Sequence, residues 1–138
     1  MVGVLNSRVL AFLNTLVDAL DGGGGNGLLR LYTGTAPAPD AAATGTLLAE
    51  LTLSATAFGA AADTNPGGSV TANAITQDSS ANASGTVGYA RLVDSTGGNA
   101  INLTVGVGSG ELQLTTLTVV AGQPVQVTSL VLTMPEVV

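Results

Sequence analysis

Between residues 5 and 20 the apolar side chains Leu5, Val9, Phe12, Leu13, Leu16, Val17 and Leu20 recur at intervals of three and four. Asn6, Arg8, Asn14, Thr15 and Asp18 fall mostly elsewhere around the cylinder, the spacing of one amphipathic helix. Its stop is the glycine run 22–25, where missing side chains favour a left-handed terminus and then a flexible link. The helix has two readings. It folds back onto its own domain's sheet, or it acts as an arm docking on a neighbour, for which Leu5, Val9, Phe12, Leu13, Leu16 and Leu20 are the candidate partner-interface residues.

After the glycine run the period changes to two, and every segment is short, β-rich and bounded by Gly, Pro, Asn, Asp or Ser. Strands are predicted over 28–33, 47–53, 69–75, 86–93, 100–107 and 125–134, with 111–116 and 117–120 as two strands or one bent one. In 54–62 the small alanines favour helix by propensity, while Phe58 and Gly59 suggest an irregular strand with a bulge. In 47–53, Leu47, Ala49, Leu51 and Leu53 share a face; in 86–93, Val87, Tyr89, Arg91 and Val93 alternate with Gly88, Ala90 and Leu92; in 100–107, Ile101, Leu103, Val105 and Val107 align. Asn65-Pro66-Gly67-Gly68 is a turn. The expected fold is therefore mainly β: an antiparallel two-sheet β-sandwich, jelly-roll or immunoglobulin-like, with one N-terminal helix. The expected division is a helix over 1–21, a Gly-rich linker over 22–27 and a β-sandwich domain over 28–138.

Composition narrows the chemistry. The 138 residues contain no His, Cys, Lys or Trp, and the cations are Arg8, Arg30 and Arg91. Charged residues make up 9%, against roughly 25% in an average globular protein. With only two Phe and two Tyr, the interior must be built from Leu, Val, Ile and Ala, which bury less area each than aromatic rings. Oligomerisation or docking on a larger body is expected to supply part of the stability. A formal charge of −6 opposes binding to a phosphate backbone, so nucleic acid is not an expected partner. No run of eighteen apolar residues is present to span a bilayer, and Arg8, Asn14 and Asp18 make 9–17 a poor secretory signal.

Without His or Lys a nucleophilic Ser or Thr has no conventional base, and no cysteine is available as a thiolate. Carboxylates remain. Most lie in predicted turns or ends, where they cap and solubilise. Glu50 and Glu111 are a conceivable glycosidase dyad, and Asp78 and Asp94 flank polar loops that a calcium ion would need, without the spaced acidic pattern that makes such a loop specific. Asn82-Ala83-Ser84 and Asn102-Leu103-Thr104 match a glycosylation sequon. Arg30 and Arg91 sit on strands among apolar neighbours, where arginine snorkels or pairs with a carboxylate. The expectation is a non-enzyme with no catalytic residues, no metal and no cofactor.

Four stretches carry a family likeness: Leu29-Arg30-Leu31-Tyr32-Thr33-Gly34-Thr35-Ala36-Pro37, Thr44-Gly45-Thr46-Leu47-Leu48-Ala49, Gly85-Thr86-Val87-Gly88-Tyr89-Ala90-Arg91-Leu92-Val93-Asp94-Ser95, and 119–130 around Ala121-Gly122-Gln123-Pro124. Together they resemble small β-rich virion proteins of tailed bacteriophages, and among these most resemble capsid cement or decoration proteins. The resemblance implies a β-sandwich or β-tulip module and a homo-oligomer, dimer or trimer, that binds the major capsid protein on the outside of the assembled head and stabilises it. Its location would be the virion exterior, and the host cytoplasm during assembly. A tail, tail-tip or fibre component and a surface module for adhesion or carbohydrate binding through Tyr32 or Tyr89 are the alternatives.

Overall fold

The computed structural model describes residues 6–64 and 67–135. Helix α1 (Asn6–Asp18) continues through a 3-10 turn, Ala19–Asp21, into the glycine run. Eleven strands follow among the described residues: β1 (Leu28–Tyr32), β2 (Leu47–Thr52), β3 (Ala62–Asp63), β4 (Gly68–Thr71), β5 (Gly85–Thr86), β6 (Tyr89–Val93), β7 (Ile101–Leu103), β8 (Val105–Gly106), β9 (Leu112–Leu114), β10 (Thr118–Val119) and β11 (Val127–Met134). One sheet has the order β2-β1-β6-β7, a second β3-β4-β11-β9-β8, and β10-β5 is a separate two-stranded ribbon. The fold is mainly β with a single N-terminal helix among the described residues, as the periodicity predicts, and its sheets are antiparallel except at the β8–β9 pair.

One aliphatic core joins these parts. Leu29 and Leu31 of β1, Leu51 of β2 and Leu92 of β6 are fully buried with Val70 of β4 and Leu112 of β9. Val9, Leu13, Val17 and Leu20 of the helical segment belong to the same cluster. The helix packs on β4 and β3, and the approach is close. A Cβ at Gly68 would stand 2.6 Å from Leu10 Cδ2 and 3.2 Å from Leu13 Cδ1, so glycine there lets the helix reach the sheet. Two polar side chains fix its position: Asn14 Oδ1 accepts from Ala61 N, and Asp21 Oδ1 from Ala57 N, both at 2.9 Å.

The glycine run that reads as a loose link is stitched to the sheet instead. Gly25 N donates to Ser95 Oγ at 3.2 Å, and Leu53 N donates to Gly27 O at 2.9 Å. Helix, link and strands therefore share one interior.

Three predicted strands break where the chain changes partners. The segment 86–93 divides because Val87 N donates to Leu117 O and Gly88 N to Tyr32 O, which sends β5 to the ribbon and β6 to the first sheet. A Cβ at Gly88 would lie 1.9 Å from Gly34 O, so only glycine permits that crossing. The segment 100–107 divides at Thr104, whose carbonyl takes Leu112 N. Beyond it β8 runs parallel to β9, joined by the five residues 107–111, too few for an ordinary crossover. Val107 consequently leaves the face of Leu103 and is exposed. The segment 69–75 ends as a strand at Thr71, and its continuation makes single bridges, Ala72 with Phe58 and Thr76 with Thr52. Of the predicted turn, Asn65 and Pro66 lie outside the described residues, and Gly67 has φ +91°.

Core membership of the helix sets an expected outcome. Leu13→Ala should lower unfolding free energy by about 3 kcal/mol, the usual cost of emptying a fully buried leucine site. Phe12→Ala, next to it on the same helix but 52% exposed, should change it by no more than about 0.5 kcal/mol. Chemical denaturation of the two variants checks the pair; equal effects would mean that the helix is not part of the core.

Candidate functional site

The outer face of the first sheet carries a row of polar groups on adjacent strands. Register places Glu50 of β2, Arg30 of β1, Arg91 of β6 and Asn102 of β7 in one row across all four strands. Tyr32 and Tyr89 form a neighbouring row, their rings stacked at 5.2 Å and 12°. Two arginines directly opposite each other repel, and the row relieves this from both ends. Glu50 Oε2 accepts from Arg30 Nε at 2.7 Å, and Asn102 Oδ1 accepts from Arg91 Nε at 2.8 Å. Burial works against the Arg30 charge, but the hydrogen bond and charge of Glu50 outweigh it and raise its pKa.

Above this row lies the long β1–β2 connection, residues 33–46, as a strap. Arg91 Nη1 donates to Ala41 O at 2.8 Å and Nη2 to Ala38 O at 3.3 Å. Asn102 Nδ2 donates to Pro37 O at 2.7 Å. Tyr89 Oη donates to Thr44 O at 2.6 Å and accepts from Thr44 N at 3.1 Å. Most strap residues are exposed, so side-chain hydrogen bonds from the sheet, not apolar burial, hold it down. It covers β6 so fully that Arg91 is only 5% exposed and every residue of that strand is buried.

These partners account for the candidate residues. Tyr32 and Tyr89 are buried against each other, so neither presents a free ring to a sugar. Both polar atoms of the Asn102 side chain are engaged, which removes that sequon's acceptor. Glu50 is held by Arg30 on the first sheet, whereas Glu111 is hydrogen-bonded to Thr104 Oγ1 beside the β8–β9 link, and the two form no dyad. Asp78 accepts from Glu50 N and Ser80 N, each at 3.0 Å. No group of three or more His, Cys, Asp or Glu among the described residues is arranged to hold a metal.

Asp94 closes the β6–β7 turn. One oxygen accepts from Thr96 N, Thr96 Oγ1 and Gly98 N at 2.6–2.9 Å, and the other from Asn99 Nδ2 at 2.7 Å. A carboxylate surrounded by donors is satisfied as an anion and offers no vacancy to a cation. The Thr96 hydroxyl first, then the Gly98 amide, outweigh the opposing effect of burial and bring its pKa from 3.8 down to about 2.

Of the six candidate interface residues, Val9, Leu13 and Leu20 are buried in the chain's own core. Phe12 is exposed, Leu16 is half-buried, and Leu5 lies outside the described residues. Other large apolar side chains on the surface are Val107 and Val120, 59% and 52% exposed. No helix among the described residues is long and apolar enough to cross a membrane. The strap and its three anchors escape sequence reasoning, because nothing in the spacing of Tyr89, Arg91 and Asn102 says that a loop fifty residues earlier supplies their partners. The one available signal is an arginine and two tyrosines at alternate positions of apolar strands, where each polar tip needs an acceptor.

No family model matches the sequence, and comparison with curated proteins and with solved structures returns no match.

Two outcomes follow from these contacts. Because the folded-state pKa of Asp94 lies below its unfolded value, its contribution is complete above about pH 4 and is lost as pH falls toward 2. Thermal melts of the native chain should therefore fall more steeply over that window than those of Asp94→Asn. Arg91→Met removes the strap's central anchor, with charge-assisted bonds of ~1.5–3 kcal/mol each. Cleavage within 36–43 by proteinase K should accelerate by about tenfold or more, and an unchanged rate would show that the strap is held by other contacts.

Proposed function

We propose that this chain is a non-enzymatic structural protein of a tailed-phage virion, a cement or decoration protein that self-associates and binds the major capsid protein on the outside of the assembled head. One observation carries the reading: the charged groups on the strands of the first sheet, Arg30, Glu50 and Arg91, are all engaged within the fold, while Phe12, Val107 and Val120 stand exposed. Asp21, Asp78 and Asp94 are likewise occupied by the chain's own donors. These polar side chains thus serve the architecture, and the exterior presents separate apolar side chains beside them. Such a surface suits repeated contact with other protein surfaces, in which many individually weak contacts add through multivalency. The buried tyrosine pair disfavours the carbohydrate-binding alternative, which needs rings open to solvent.

The test is addition of the purified protein to expanded heads of the phage that carries this gene, prepared without it. Binding in near-stoichiometric proportion to the major capsid protein, with a higher disruption temperature of the heads, is the expected result. Recovery of the protein in isolated tails alone, or no change in head stability at saturating protein, would overturn the proposal.

A further inference from the structure

Beside the strap's anchors the outer face contains a groove of about 690 Å³, within the range of ~300–1,000 Å³ typical of small-molecule sites. Arg30, Tyr32, Arg91 and Val93 line it from the sheet, residues 39–43 of the strap and 97–101 of the β6–β7 turn flank it, and Leu16 and Ala19 contribute from the helical segment. Apolar surface and two guanidinium groups therefore meet in one space.

The two arginines are unequally engaged. Arg30 gives Nε to Glu50, and its Nη1 extends to 4.0 Å from where a Cβ on Gly97 would stand. The one ion pair that Arg30 makes among the described residues is with Glu50, and the paired N–H groups of its terminal edge have the geometry that matches a carboxylate. Arg91 bonds only neutral acceptors, Asn102 Oδ1 and the carbonyls of Ala38 and Ala41, at 5% exposure. A buried charge without an opposite partner is unfavourable, and an anion arriving above it is favoured. The acidic groups that oppose such an anion are Glu50, already paired, Asp40 on the strap, which bonds neither arginine, and Asp94, filled by the donors of its own turn.

We propose that this groove binds a small carboxylate with a short branched apolar body. The carboxylate lies on the terminal edge of Arg30 within the field of Arg91, and the body rests against Leu16, Val93 and Ile101. This site is separate from the shell-docking role and does not depend on it.

The probe is isovalerate, titrated into the full chain and followed by amide chemical shifts, with isovaleramide and sodium chloride at matched ionic strength as controls. Saturable binding with a dissociation constant on the order of millimolar, and at least about tenfold weaker binding of the amide, are expected. Glu50→Gln should tighten binding about threefold or more by freeing Arg30 of its counter-charge, and Asp40→Asn should act in the same direction. Ala100→Phe should weaken it about tenfold by filling the rim with both arginines intact. All three variants keep Arg30, so they decide the matter even if Arg30→Met fails to fold. Equal binding of acid and amide, the same shifts with chloride, or affinity unchanged in both Glu50→Gln and Ala100→Phe would overturn the proposal.

Discussion

The structure depends on closing an aliphatic core with few aromatic rings. Leucine and valine fill less volume per side chain, so a thin interior is stable only if it is covered from every side. The helix supplies one cover through Val9, Leu13, Val17 and Leu20. The strap supplies another, making β6 a strand buried on both faces. Loss of the helix exposes core leucines and valines, and loss of the strap exposes the Arg91 and Tyr89 side chains on the other face of β6.

That requirement explains how the scarce polar side chains are distributed. Asn14 and Asp21 hold the helix to the segment before β3; Arg91, Asn102 and Tyr89 hold the strap; Asp78 ties its own loop to the edge strand β2. Each of these side chains satisfies backbone groups of a segment distant in sequence, a task that hydrophobic burial, being non-directional, cannot perform. Side chains placed at such junctions serve the fold, and separate apolar groups such as Phe12, Val107 and Val120 are left on the exterior for the docking role proposed for it.

Much of the architecture was legible from periodicity. The three-and-four spacing of the helix and the alternation in 28–33, 47–53 and 125–134 report burial directly, and those elements stand close to their expected limits. The breaks within 86–93 and 100–107 were hidden, because alternation of side chains continues through a point where the backbone changes sheets. Only the close approach of Gly88 to Gly34 and the Thr104 carbonyl reveal it. The polar face of the first sheet was half legible. Arginine on a strand announced a need for acceptors, and Glu50 met it for Arg30 as expected of a cross-strand neighbour. The acceptors of Arg91 are main-chain carbonyls in a loop, and carbonyls leave no trace in a sequence. Likewise the run of glycines suggested freedom, whereas contact with Ser95 removes it.

The choice of carbonyls over carboxylates at Arg91 bears on endurance in harsh surroundings. A guanidinium stays protonated throughout the accessible range and an amide oxygen does not titrate there, so the clasp between β6 and the Ala38 and Ala41 carbonyls has no protonation step at which to fail. As pH falls toward 2 the hairpin end at Asp94 loses its hold, while the lid over the tyrosine pair stays fastened at Arg91, so acid reaches two fastenings of the same sheet differently.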